Sequence, residues 1–197
     1  MKIFFFIFFF LYIKANSNNL KQAGNIKYLE YAFKRNLTIS ESLSHEEFFN
    51  KYFYNQLYIN IKVGSNKVEI PFYLYLEQYS IVIQSLNVSK SQVKGIYDES
   101  KSSTYTPKAP QSFALGDLDL AIKSKESFYL NNENYSINFY LAKENKEESH
   151  ITEGGKIGFE FSSHYSEDDD TSFIHNLKEN NIISSKIFTF KYDSENL

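Results

Sequence analysis

The sequence predicts a mainly β domain over 55–197, preceded by an apolar leader at 1–17 and a partly helical N-terminal extension at 18–54. Three observations carry that prediction. Short apolar runs recur at close spacing, several of them alternating in-out as a half-buried strand does. Aromatics reach 18% of the chain, with Phe 19 and Tyr 16, enough to fill a core. Cys 0 removes disulfides, thiolate metal sites and cysteine nucleophiles together, so the fold is held by packing alone.

The leader opens with Lys2, and Ile3 to Ile13 form an unbroken apolar run before the small polar stretch Ala15–Ser17. A membrane-spanning helix needs about 20 apolar residues. The shorter run is read as a secretory signal peptide, leaving no stable membrane span after its removal. Secretory entry gives meaning to three Asn-x-Ser/Thr triplets, at Asn36, Asn87 and Asn134, as glycosylation candidates. The destination is then outside the cell or a lysosomal or vacuolar lumen.

From Asn18 to Phe53, Leu29, Ala32, Phe33 and Leu37 recur at helix spacing, and Ser44–Glu47 reads as the start of a second short helix. This extension resembles a pro-segment in position and composition. Leu57–Val63 alternates, Gly64–Lys67 supplies a turn and Val68–Leu76 resumes an apolar strand, which together make a hairpin. Ser80–Gln84, Ser112–Leu115, Leu118–Ile122, Ser127–Leu130, Tyr135–Ala142 and Ile187–Tyr192 are the further strands. Thr171–Asn180 is a helix in which Phe173, Ile174 and Leu177 share a face.

The formal net charge of −3 argues against nucleic-acid partners, which call for a basic excess. His45, His150, His164 and His175 are too scattered for a zinc site, and no cofactor motif is present. Glu167–Asp170 could gather a calcium ion but reads better as an acidic helix start. Asp117 and Asp119 read as solvated, and Ser80 and Ser85 lack the His/Asp context of a nucleophile.

Three segments in order resemble the N-terminal lobe of the pepsin-like aspartic proteases. Gln56–Gly64 is similar to that family's opening strand. Tyr97-Asp98-Glu99-Ser100-Lys101-Ser102-Ser103-Thr104-Tyr105 is similar to its aromatic-Asp-Pro-Ser-x-Ser-Ser-Thr-aromatic loop, with Glu99 in place of Pro. Gly155–Phe159 and then Ser172–Ile183 resemble the Asp-Gly-Ile-x-Gly-Leu-Gly segment and the helix after it, and Ser184–Tyr192 the strand that closes the lobe. The resemblance implies a single lobe of closed or orthogonally packed β-sheets with one or two short helices.

The resemblance also implies where chemistry would sit. The family uses two aspartates, one per lobe, which share a proton because two adjacent carboxylates cannot both ionise. Each lies in an Asp-Thr/Ser-Gly turn. Here that turn reads Leu76-Glu77-Gln78-Tyr79-Ser80, so Glu77 stands at the aspartate position, Gln78 at the hydroxyl and Tyr79 at the glycine. An extra methylene displaces the carboxylate by roughly an ångström, which can cost about a hundredfold in rate. At the flap, Leu115 stands where the family has its tyrosine, with Gly116 and Asp117 next in the chain. Lys156 and Glu160 bring charge beneath the site.

No catalytic residue is therefore assigned, and the sequence supplies no second lobe before Leu197. The expectation is a non-catalytic homologue that binds a peptide or protein in the remnant cleft. The alternative is an aspartic endopeptidase, as a truncated chain, a homodimer, or one lobe paired with another that carries the missing aspartate. A lone lobe would expose a strand edge and an apolar patch, and the extension, with Tyr28, Leu29, Tyr31, Phe33, Phe48, Phe49 and Phe53, is aromatic enough to cover them.

Overall fold

The computed structural model describes residues 19–23, 26–32, 34–35, 57–76, 78–90, 94–108, 118–145, 154–160 and 170–189. The leader, the Ser44–Glu47 helix start, the Ser112–Leu115 strand, Asn36, Glu77, Leu115, Gly116, Asp117, His45, His150, His164 and Glu167–Asp169 lie outside them. Among the described residues no helix is long and apolar enough to cross a membrane.

Among the described residues, ten strands and one α-helix follow in chain order, with a 3-10 turn at Glu99–Lys101. They are β1 (Asn19–Ala23), β2 (Ile26–Glu30), β3 (Lys34–Arg35), β4 (Leu57–Val63), β5 (Val68–Tyr75), β6 (Ile81–Ser89), β7 (Thr106–Pro107), β8 (Leu118–Leu130), β9 (Glu133–Asn145), β10 (Gly155–Gly158) and α1 (Phe173–Glu179). Hydrogen bonding runs β4-β5-β10-β6-β9-β8, and β8 pairs back onto β4, closing a six-stranded barrel. β3 is added outside β4 and β7 outside β8.

Alternation sets the inner face. Ile59, Ile61 and Val63 of β4 and Ile70, Phe72 and Leu74 of β5 are buried, while Lys62 and Glu69 face water. Ile81 and Ile83, Phe128 and Leu130, Ile137, Phe139 and Leu141, and Ile157 complete the interior, with Phe128 ringed by Phe72 and Phe139 at 5.7 and 6.1 Å. Each such side chain contributes on the order of 1.5–3 kcal/mol by leaving water. The β4–β5 turn needs Gly64, whose φ is +80°.

β10 gives the barrel its topology. It inserts between β5 and β6, which are consecutive in the chain, and runs parallel to β5 (Gly155↔Phe72, Ile157↔Leu74) and antiparallel to β6 (Gly155↔Ile83, Ile157↔Ile81). The connection from β5 to β6 must therefore pass over the end of a third strand.

Three expectations are corrected. Leu29 and Ala32, expected at helix spacing, are not helical: Leu29 lies in β2 of a β1–β2 hairpin, and β3 adds to the edge of β4 (Lys34↔Tyr58, Arg35↔Leu57), while the rest of that expectation lies outside the described residues. A short isolated helix is marginal in water. The hairpin instead gains long-range ties: Lys27 N–H donates to Ser184 Oγ at 2.8 Å, Ser184 N–H to Lys27 O at 3.0 Å, and Leu29 and Tyr31 pack on the core. Leu118–Ile122 and Ser127–Leu130 are not separate strands but parts of the 13-residue β8. Residues 187–189 of the expected closing strand are not in a strand. Ile187 N–H bonds Ser185 O within its own segment, and Phe188 packs on Phe159 at 4.8 Å.

Candidate functional site

The turn between β5 and β6 is the position singled out by the sequence, and the structure builds a clamp around it. Leu76 leaves β5, Gln78 and Tyr79 are half-buried, and Ser80 is buried at the mouth of β6. Glu77 itself lies outside the described residues. From one side, the chain leaving β10 bonds the turn three times: Gly158 N–H to Ser80 O at 3.2 Å, Phe159 N–H to Tyr75 O at 2.8 Å and Glu160 N–H to Gln78 O at 2.8 Å. Gly158 is obligatory for closeness rather than for φ. A Cβ there would lie 2.1 Å from Gln78 O and 2.7 Å from the carbonyl carbon of Tyr79.

The segment entering α1 grips the other side. Ile81 N–H donates to Thr171 O at 2.9 Å, Thr171 Oγ1 donates to Ser80 Oγ at 2.9 Å, and Ser80 bridges to Ser172. Ser172 also caps the helix by accepting from His175 N–H. Asn176, buried on α1, locks the helix to the barrel. Its Oδ1 accepts from Asn138 N–H at 2.9 Å, and its Nδ2 donates to Asp170 O at 2.7 Å and Ser172 O at 2.8 Å. Phe159 packs edge-on to Phe173 at 6.5 Å. Tyr79 is not among the described residues with a left-handed backbone, so its position takes a side chain without that strain.

Lys156 lies on β10 between Tyr73 and Val82 and is 3% exposed. Its ammonium sits 4.6 Å from the centre of the Tyr75 ring, an arrangement that offsets part of the cost of burying charge. Glu160, whose N–H bonds the turn, is a half-buried carboxylate.

The Tyr97–Tyr105 loop is fastened elsewhere on the barrel. Glu126, buried in β8, accepts from Tyr97 Oη, from Thr104 Oγ1 at 2.5 Å and from Ser127 N–H at 2.7 Å. Ser65 N–H donates to Ser102 Oγ at 3.1 Å, and Ser103 N–H to Ser65 Oγ at 2.9 Å, tying the loop to the β4–β5 turn. Burial, and then the bond to Glu126, push the Tyr97 hydroxyl far above its ordinary value. Asp98 is held below the usual carboxylate range by its bonds to Ser100 and Lys101. These groups serve the fold, fixing the loop to β8 and to the β4–β5 turn.

Other residues considered in the sequence find partners. Ser85 is fully buried; its hydroxyl donates to Glu99 Oε2 at 2.9 Å, and Lys143 binds the same carboxylate. Asp119 is not simply solvated, since Lys90 lies 3.5 Å away. Asp170 does not cap α1, a role taken by Ser172; it pairs with Lys108 at 3.0 Å and Lys123 at 2.7 Å. His175 Nδ1 lies 3.1 Å from Lys186 Nζ. Among the described residues no group of three or more His, Asp or Glu is placed to hold a metal ion. The Ser80–Thr171, Asn138–Asn176 and Glu99–Lys143 pairs join residues 91, 38 and 44 positions apart, so no local pattern announces them.

No family model matches the chain, and no curated protein matches it.

Proposed function

We propose that the barrel is a pepsin-like N-terminal lobe with a degenerate active-site turn, and that it binds a peptide or protein beside that turn without cleaving it. The observation that carries the reading is the convergence at residues 76–80. The turn equated with the family's aspartate turn is bonded to Gly158–Glu160 and to Thr171–Ser172, which lie in or beside two other segments that carry the resemblance. The chemistry offered there is that of recognition. Gln78 brings a neutral amide and Tyr79 a ring, where proteolysis would require a compact hydroxyl and a glycine.

Such a turn can hold an extended peptide through backbone and side-chain hydrogen bonds. The turn Leu76–Ser80 brings one carboxylate of its own, Glu77, where the family's chemistry pairs two aspartates in matched turns. Secretory entry and delivery to an extracellular or vacuolar lumen belong to the same reading.

The test is a randomised peptide library presented to the purified chain from about pH 3 to about pH 7, with retention and cleavage both scored by mass spectrometry. Retention without cleavage, unchanged by Glu77→Gln, is expected. Acid-optimal cleavage abolished by Glu77→Gln would replace this reading with the endopeptidase one. Neither retention nor cleavage would refute both.

A further inference from the structure

We propose that Asn87 and Asn134 carry N-linked glycans, an inference that rests on the secretory part of the reading above. The acceptor triplet needs an asparagine amide and a hydroxyl two residues later. In a strand, residues i and i+2 share a face while the residue between them points the other way. Both described triplets use that geometry. In β6, Asn87 and Ser89 are exposed and Val88 is fully buried. In β9, Asn134 and Ser136 are exposed, and Tyr135 turns inward to pack against the core. A glycan added to the nascent chain would therefore be carried outward by the folded barrel, its facing set by the inward residue between asparagine and serine.

The local backbone leaves room at both places. Asn134 follows a two-residue hairpin turn in which Asn131 and Asn132 both have positive φ, so it lies at the tip of the β8–β9 ribbon. Asn87 lies where β6 shifts register against β9 between Gln84 and Ser89. Beside it, Leu86 is 39% exposed and Ile96 is 37% exposed, joined through the bond from Leu86 N–H to Tyr97 O. A bulky, hydrated glycan on Asn87 would shield this apolar pair. Asn87 lies between the pairs Gln84↔Ala142 and Ser89↔Glu144, eight to ten residues along β9 from Asn134, so the two glycans would stand roughly 26–33 Å apart along the strand.

The step is a group transfer from a lipid-pyrophosphate-linked oligosaccharide, catalysed by a lumenal oligosaccharyltransferase. The asparagine amide nitrogen forms a bond to the anomeric carbon of the sugar. The bond from that carbon to the phosphate oxygen breaks, the lipid pyrophosphate departs with its electron pair, and the amide proton passes to the transferase.

The full chain is expressed in a eukaryotic secretory host behind its own leader and, in parallel, behind one known to be cleaved. Intact mass reports leader removal. Peptide-N-glycosidase treatment in heavy-oxygen water converts each formerly glycosylated asparagine to labelled aspartate. Labels at Asn87 and Asn134 are expected, with one glycan mass lost in Asn87→Gln, one in Asn134→Gln and both in the double variant. A leader-processed chain with neither site labelled overturns the proposal, and a chain with one labelled overturns it for the other. Labelling behind the replacement leader but not behind the native one would sustain the sites and remove the secretory reading.

Discussion

Substituting Gly158 by Ala probes the clamp on the β5–β6 turn directly. The new methyl carbon would stand 2.1 Å from Gln78 O and 2.3 Å from the Gln78 carbonyl carbon, both backbone atoms that cannot rotate away. Ordinary contact distances would require roughly an ångström of separation between the β10 exit and the turn. Overpacking of this kind costs about 1–3 kcal/mol. The shift also stretches the bonds from Gly158 N–H to Ser80 O and from Glu160 N–H to Gln78 O, each worth about 1 kcal/mol net. A total of about 3–5 kcal/mol would remove a large part of a small domain's usual 5–15 kcal/mol. Urea unfolding monitored by circular dichroism and tyrosine fluorescence measures it, the chain having Trp 0. A loss below about 1 kcal/mol with an unchanged m-value would refute the claim that these segments are in enforced contact.

Glu126→Ala should destabilise by about 2–4 kcal/mol, because Tyr97 Oη, Thr104 Oγ1 and Ser127 N–H lose a common acceptor; a change within error in urea midpoint would count against the network. Gln84→Met should raise stability by about 1–2 kcal/mol, since both amide atoms of Gln84 are buried without a hydrogen-bond partner and the outer face holds Val82 and Ala142 in a small apolar cluster; a lower midpoint would show that the amide is satisfied. Burial, and then Glu133, push the Tyr135 hydroxyl up to about 12, and burial raises Tyr31 and Tyr97 further. The folded state then holds these protons more tightly than the unfolded chain, so their stabilisation is complete below the usual value of 10.0 and falls as pH rises above it. Absorbance titration should show these tyrosines ionising only with alkaline unfolding, and a reversible titration of every tyrosine near pH 10 would contradict it. Burial raises Asp170, but its bonds to Lys123 and Lys108 prevail and hold it below 3.8. Its stabilisation is present above that value and is lost as pH falls through the depressed one, so Asp170→Asn should flatten the acid limb of Tm against pH.

The locally legible elements are those marked by periodicity and turn chemistry. The β4–β5 hairpin comes from alternation of Ile59, Ile61 and Val63 with Tyr58, Asn60 and Lys62, closed by a glycine that adopts positive φ. α1 comes from the shared face of Phe173, Ile174 and Leu177 behind a serine cap. Each signal lies within one or two turns or strands, where backbone preference and side-chain spacing act together.

The middle of β8 is not legible in that way. Lys123-Ser124-Lys125-Glu126-Ser127 looks like a polar break, yet it stays in the strand. Ser124 is bonded to Tyr105 Oη, and Glu126 collects the Tyr97 and Thr104 hydroxyls from a loop 29 and 22 residues upstream. A buried carboxylate is tolerable only once such donors are in place.

The amino-acid order by itself determined the β class, the β4–β5 hairpin and α1, because local geometry carries those. Tertiary structure alone decided the rest. The four residues Gly155–Gly158 have no strand identity until β5 and β6 part to admit them, and Leu29, at helix spacing in the sequence, lies in a strand of a hairpin that Ser184 ties to the fold from 157 positions away. Backbone hydrogen bonds must be satisfied wherever the chain is buried, and only the folded neighbours determine with whom.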